Sequence, residues 1–445
     1  MLLPGPITDW LASLGTVTRL DRAVARREGW NVDLTKPDGS VLEGFLRLER
    51  EPDPGSPWSL AKETGIVRAL GATAIPVPRV LAENPALFAT LFERSRGRAD
   101  LNNAPPAQQK AVMEHFVDIL ADWHGMEPAS LDLPKFAQYP RTSRECALGE
   151  VELIVAKNAD FMAKHRDPLI TYGLDWLDRN VPKNLARVSL VQGDTGPANF
   201  LFEGDRVTAV IDWEWGHLGD PMEDLGNMCV RNFWNPSGPL IDIFRRYEKR
   251  SGIPVDWSAV RYYRVQQNMR GMVPIVASCV AASPREPVAW SLAYRYTGDR
   301  STVEAIADAE GVPLVRPELP ADGEDDILAQ AASWMLENDI APAVDNAFAR
   351  SRTRDVDILV RCLDRLRRHE QWIDNAEMED MGALLGRKPA SLHEGTLAME
   401  QAIRERRFSD AQLLPYLGRR TYRLEWLYKP VTSLYPQREW DPLAK

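Results

Sequence analysis

The sequence predicts an α+β fold that ends in an all-α block, and three observations predict it. Near the start, residues 27–33, the turn Pro37-Asp38-Gly39 and residues 41–48 read as two strands folded back on each other. A second hairpin, Phe200-Leu201-Phe202 and residues 207–211 around the turn Glu203-Gly204-Asp205, interrupts a long stretch of helical character. Beyond a proline- and acid-rich linker at residues 311–326, the segments 327–349, 356–369 and 394–407 repeat their apolar positions at helical spacing and carry Arg-rich outer faces.

Composition narrows the possible functions. A chain of 445 residues can build two or three well-buried domains, and 44% hydrophobic with 27% charged residues is ordinary for a globular protein. The formal net charge of −10 argues against a nucleic-acid partner, because phosphate contacts need clustered Lys and Arg. The first ten residues lack a basic region followed by an apolar run. The longest mainly apolar window, residues 271–282, contains Pro274 and is too short to span a bilayer, so no membrane partner is expected. Cys146, Cys229, Cys279 and Cys362 have neither metal nor redox spacing. The expectation is a reduced, cytoplasmic enzyme.

In chain order, residues 7–14 read as a short helix, strands follow from Val17, and residues 60–70 are helix-compatible ahead of Ile75-Pro76-Val77-Pro78-Arg79-Val80. Neither G-x-G-x-x-G nor G-K-[ST] occurs, which excludes the Rossmann fingerprint and the Walker loop. Residues 86–92 form an apolar strand and residues 93–98 a polar, glycine-containing link. Between residues 107 and 124, Val112, Phe116, Ile119, Leu120 and Trp123 recur on one helical face, so this helix belongs to a core. His115 and His124 on it read as ordinary helix residues, since no partner has ligand spacing. Residues 148–162 and 172–180 are further helices. The half beyond Leu225 is helical and aromatic-rich, with Trp234, Trp257, Tyr262, Tyr263, Trp290, Tyr294 and Tyr296; core packing accounts for these more simply than an aromatic cage for a quaternary ammonium. Arg295 and Arg300 are alternative contacts for an anionic acceptor.

Residues 190–225, LVQGDTGPANFLFEGDRVTAVIDWEWGHLGDPMEDL, carry the chemistry. If Phe202 pairs near Val207, Asn199 falls opposite Val210 and Asp212 lies about two residues further along the partner strand, within about 7–8 Å. Asn199 and Asp212 can then share one cation, and a hard ion such as Mg²⁺ takes one or two protein oxygens while leaving its other positions to water and phosphate. Asp194 precedes Asn199 on a loop whose Gly193, Gly196 and Pro197 allow a tight irregular path. It is left to orient and deprotonate an attacking hydroxyl.

The pattern G-D-x-x-x-x-N, a hairpin, then I-D-W-E and G-D-P-x-x-D-L resembles the aminoglycoside phosphotransferase and choline kinase family, which has a protein-kinase-like fold. The resemblance covers about residues 7–296. It implies a two-lobed fold with a small mixed β-sheet lobe and a larger mostly helical lobe, here followed by a C-terminal all-α domain. The corresponding domains are residues 1–95, 96–310 and 325–445. It further implies that Asp194 is the catalytic base, Asn199 and Asp212 are Mg²⁺ ligands, Asp224 is a buried buttress of the catalytic loop and Asp220 is structural. Residues 25–30 would form a nucleotide-covering flap. Arg47 would meet the α- and β-phosphates and be held there by Glu63. Backbone groups of residues 93–98 would meet the adenine edge, and the helices at 148–162 and 172–180 would build the acceptor pocket, where Glu150, Glu152 and Asp160 are candidate carboxylates. One position departs from the family: Gln192 stands where a His is usual, and a Gln amide donates and accepts similarly.

The reaction so implied is Mg²⁺-dependent transfer of the γ-phosphoryl group of ATP, or of GTP, to a hydroxyl of a small molecule: an amino-sugar, a hydroxyacyl thioester or an amino alcohol. The rival reading is a pseudokinase that binds a partner through its C-terminal helical domain. Nothing in the sequence sets the oligomeric state.

Overall fold

The computed structural model describes residues 3–23, 28–49, 56–136, 138–280, 287–436 and 438–444. The chain runs α1 (Gly5–Leu14), β1 (Thr16–Arg22), β2 (Gly29–Thr35), β3 (Val41–Leu48), α2 (Leu60–Gly71), β4 (Val80–Asn84), β5 (Ala89–Glu93) and α3 (Pro106–Gly125). Next come α4 (Ser143–Lys157), α5 (Ala159–Lys164), α6 (Pro168–Arg179), β6 (Ser189–Val191), β7 (Phe200–Glu203), β8 (Arg206–Val210), β9 (His217–Gly219) and α7 (Pro221–Trp234). The remainder is helical: α8 (Ile241–Ser251), α9 (Trp257–Val280), α10 (Val288–Glu310), α11 (Ile327–Met335), α12 (Ala347–Leu385), α13 (Leu392–Arg404) and α14 (Asp410–Leu427).

Two compact units result: Met1–Cys146 with Asn184–Trp257 and Asp441–Lys445, and Ala147–Lys183 with Ser258–Trp440. This division differs from the one drawn along the sequence. Residues 258–310 group with the C-terminal helices because α10 packs on α14 and α12.

In the first unit an antiparallel sheet has the strand order β1-β2-β3-β5-β4. Trp30, Val32 and Leu34 alternate inward on β2 and pack with Leu46, Leu91 and, from α1, Ile7 and Leu11. That packing fixes the register of β3, and Arg47 comes to lie opposite Thr90 of β5. Helix α2 begins at Ser59, whose side chain accepts from Lys62 N, and is fastened to the sheet where the Thr64 and Thr90 hydroxyls meet at 2.9 Å. Glu63, in the first turn of α2, is thereby brought to Arg47. Of the flap expected at residues 25–30, residues 25–27 fall outside the described residues, and Gly29 and Trp30 open β2. The expected strand at 86–92 begins only at Ala89. Asn84 Oδ1 accepts from Leu87 N, and Phe88 takes a left-handed φ of 48°, which turns the chain between β4 and β5.

In the second unit the helix expected at 148–162 is divided into α4 and α5 at Asn158, whose amide donates back to Ile154 O at 2.9 Å. The helix expected at 356–369 is part of the 39-residue α12. Its basic face meets the acids of the preceding linker: Arg365 pairs with Asp322 at 2.8 Å, Arg368 with Asp325 at 3.0 Å and Arg367 with Asp326 at 3.1 Å. Of the aromatic residues of this unit, Tyr262 and Tyr263 are buried and Tyr296 stacks on Tyr428 at 3.8 Å, whereas Trp290 is exposed. Arg300 is held by Glu304 and Glu425. Among the described residues no helix is long and apolar enough to cross a membrane.

Candidate active site

The loop from Gln192 to Asn199 is built around one carboxylate. Asp224, in the first turn of α7 and without solvent exposure, accepts from Gln192 N and Gly193 N at 3.0 Å each and from the Thr195 hydroxyl at 2.5 Å. His124 Nε2 approaches it at 3.1 Å; an ionised carboxylate only accepts, so that nitrogen carries a proton, and Nδ1 meets the Tyr247 hydroxyl at 2.8 Å. Burial would push the Asp224 carboxyl up. The hydrogen bond and charge of His124, with the Thr195 hydroxyl and the Gln192 amide, outweigh burial and hold it below the usual carboxylate range. Asp220 caps α7, accepting from Met222 N at 2.9 Å. Asp224 thus occupies the buttress position expected of it, and His124, read from the sequence as an ordinary helix residue, braces that buttress. His115 is also structural: its Nδ1 accepts from Val207 N at 2.9 Å.

Gln192 fulfils the bracing role at the position where the family has His. Its Nε2 donates to Ile211 O at 2.8 Å and to Asp212 O at 3.0 Å, while Oε1 has no hydrogen-bond partner among the described residues. Asp212, whose carbonyl accepts that bond, has a left-handed backbone conformation, φ 62°, which is uncommon for non-glycine residues and better tolerated by Asp than by most. The hairpin differs from its expected register by one residue. Phe202 pairs with Val207 as anticipated, but Leu201 pairs with Ala209, so Thr208 is an extra, bulged residue whose hydroxyl donates to Arg96 O at 2.6 Å. Asn199 consequently faces Ile211, whose amide donates to Asn199 O at 3.0 Å, and Asp212 is one residue away rather than two.

Two clusters stand on this frame. In the first, Asn199 Nδ2 donates to both the backbone oxygen and Oδ2 of Asp194, at 2.7 and 2.8 Å. Arg231 of α7 completes it, with Nη1 at 3.4 Å from Asp194 Oδ2, Nη2 donating to Asn199 Oδ1 at 3.1 Å and Nε donating to Pro197 O at 3.0 Å. Gly196, φ 136°, makes room for this: a Cβ there would lie 2.8 Å from Arg231 Cβ. In the second, Arg47 lies 3.3 Å from Glu63, 3.6 Å from Asp212 and 3.8 Å from Glu214. Glu63 foremost, and then Asp212, hold the Arg47 guanidinium above its ordinary range against the opposing effect of burial.

Sequence reasoning passed over Arg231 and Glu214. Arg231 had a usable signal, since it lies seven residues after Asp224 and two turns of one helix place both on the face toward the loop. Glu214 stands within the quoted I-D-W-E, but its approach to Arg47 depends on the fold of a distant strand. The oxygens of Asn199 and Asp212 each face a guanidinium, so both are placed to meet positive charge, and an amide plus a carboxylate is a donor set that suits a hard divalent cation. Of the acceptor candidates in the second unit, Glu150 is buried whereas Glu152 and Asp160 are exposed.

Residues 22–263, more than half of the chain, match the phosphotransferase enzyme family. Acyl-CoA dehydrogenase family member 11 of Rattus norvegicus is 26% identical over 242 residues, which is 51% of this chain and 28% of that protein. Hygromycin-B 4-O-kinase of Escherichia coli is 23% identical over 208 residues, 42% of this chain and 57% of that protein. The match spans under a third of the length of the dehydrogenase-family relatives. A solved structure from Ralstonia eutropha, described as a candidate aminoglycoside phosphotransferase, shares the fold with a TM-score of 0.50 at 20% identity, covering 68% of this chain and 96% of its own. With its small antiparallel sheet, helical remainder and kinase-like fold, the chain belongs to the phosphotransferase enzyme family.

Proposed function

We propose that the chain is a small-molecule kinase that moves the γ-phosphoryl group of ATP to a hydroxyl group with the help of Mg²⁺. The observation that carries this reading is the pairing of Asn199 with Asp194 on a buttressed loop, with Asp212 held one residue from the strand partner of Asn199. Asp194 accepts the proton of the acceptor hydroxyl as that oxygen attacks phosphorus. The Asn199 amide and Arg231 both reach Oδ2 of its carboxylate and so orient it. Arg47, steadied by Glu63, meets the phosphates of the nucleotide. Asn199 and Asp212 would hold Mg²⁺, which when bound neutralises phosphate charge. Residues 1–95 act as the nucleotide-binding lobe, residues 96–310, which are divided between the two compact units, as the catalytic lobe, and residues 325–445 as a helical accessory domain.

For the acceptor we favour a hydroxyacyl thioester over an amino-sugar or an amino alcohol, because several relatives that match this part of the chain are named for acyl-CoA chemistry. The test is ADP release with hydroxyacyl thioesters, aminoglycosides and amino alcohols offered in parallel, for the native chain and for Asp194→Asn. With the accepted substrate, Asp194→Asn should lower kcat by about 10²–10⁴-fold while nucleotide binding persists. Acceptor-dependent ADP release at native rate in that variant would remove Asp194 from the role of base.

A further inference from the structure

The second unit contains a cavity of about 590 Å³, within the size range of small-molecule sites. Its lining is cationic. Lys164, Arg166, Arg295 and Arg420 reach it against Asp167 as the lining acid, and Val276 and Val280 supply an apolar wall. Two helix N-termini also end there, α6 at its cap Asp167 and α13 at Leu392 and His393, and each adds partial positive charge.

The cations differ in how far the protein neutralises them. Arg295 is committed to Asp299 at 2.7 Å and to Asp167. Arg166 approaches Glu400 at 3.5 Å, and Glu400 also accepts from Asp167 N and the Thr171 hydroxyl. Arg420 donates Nε to Glu377 at 3.1 Å and is also drawn by the Asp167 carboxylate, while its Nη1 has no hydrogen-bond partner among the described residues. Lys164, exposed on the rim, makes no ion pair among the described residues. A guanidinium that lines a cavity and keeps one nitrogen without an acceptor has a donor to spare for a ligand oxygen. A cationic acceptor would be repelled here, whereas a phosphate oxygen would satisfy the donor and be met by Lys164 at the mouth.

We propose that this cavity is a binding site for a phosphate- or diphosphate-bearing small molecule, with Arg420 and Lys164 as its anion contacts. The probes are inorganic pyrophosphate and orthophosphate, compared with sodium chloride at equal ionic strength. The readout is the melting temperature of the full chain and calorimetric affinity. Because pyrophosphate could also enter the candidate nucleotide site, Asp212→Ala serves as a second background.

The native chain and Asp212→Ala should be stabilised alike by pyrophosphate at about 10 mM, Lys164→Ala should weaken its binding by about fivefold, and Arg420→Gln should abolish it. Should Arg420→Gln fail to fold, Lys164→Ala decides the matter alone. Absence of stabilisation beyond chloride overturns the proposal. So does stabilisation that vanishes in Asp212→Ala yet survives in Lys164→Ala, since the anion then sits at the other site. Stabilisation by pyrophosphate in a chain that ignores Mg²⁺ and ATP would leave this cavity standing and remove the kinase reading.

Discussion

Asp224 meets no solvent, yet its surroundings favour the charged form, because two loop amides, a hydroxyl and the His124 ring all donate to it. Its folded pKa is depressed below the ordinary 3.8, so the stability it contributes is complete above that value and is lost as pH falls through the lower folded one. Asp224→Asn should therefore cost about 3 kcal/mol at neutral pH, the magnitude of breaking a buried pair. In urea unfolding, the gap between native chain and variant should hold from about pH 5 to 8 and narrow below about pH 4. A gap that stays constant into strong acid would contradict this account of the buttress. At this scale the sequence was informative where chemistry follows spacing. Asp194, Asn199, Asp212 and Asp224 stand at readable intervals, and Gln192 could be judged from its donors alone. Arg231 and His124 were less visible, because their partners depend on which way a helix faces.

The loop from Gln192 to Asn199 as an element depends on close approach between its backbone and α7. Gly196 combines a φ of 136° with a space that Arg231 fills, so Gly196→Ala meets both backbone strain and a collision. The variant should lose about 1–3 kcal/mol in urea unfolding and lose activity beyond that, since Asp194 and Asn199 would shift together with Arg231. Unchanged stability would mean that the loop accommodates a side chain there and that Arg231 is not seated as described. The hairpin itself was legible from its turn and apolar runs, yet its bulge at Thr208 was not. A bulge leaves the composition of the strands unchanged, and here it accompanies the Thr208 hydroxyl reaching Arg96 O. The linker at residues 311–326 was recognised from its prolines and acids. That its aspartates would cover the arginines of α12 required knowing that the two run side by side.

For the whole molecule, hydrophobic periodicity sufficed to identify a small sheet, a helical majority and a helical C-terminal block, since those patterns are local. The grouping into compact units was not legible, because α10 packs on helices more than a hundred residues later and such contacts leave no local trace. The central claim concerns the first unit: Arg47, Glu63, Asn199 and Asp212 form a site for a nucleotide with its divalent cation. Thermal unfolding of the full chain with ATP, with and without Mg²⁺, tests it most directly when Asp212→Ala is run beside the native protein. The account predicts a rise of several degrees that requires both ATP and Mg²⁺, about 2–4 kcal/mol at nucleotide well above Kd, and its disappearance in the variant. No shift at saturating nucleotide, or an equal shift in Asp212→Ala, would contradict it.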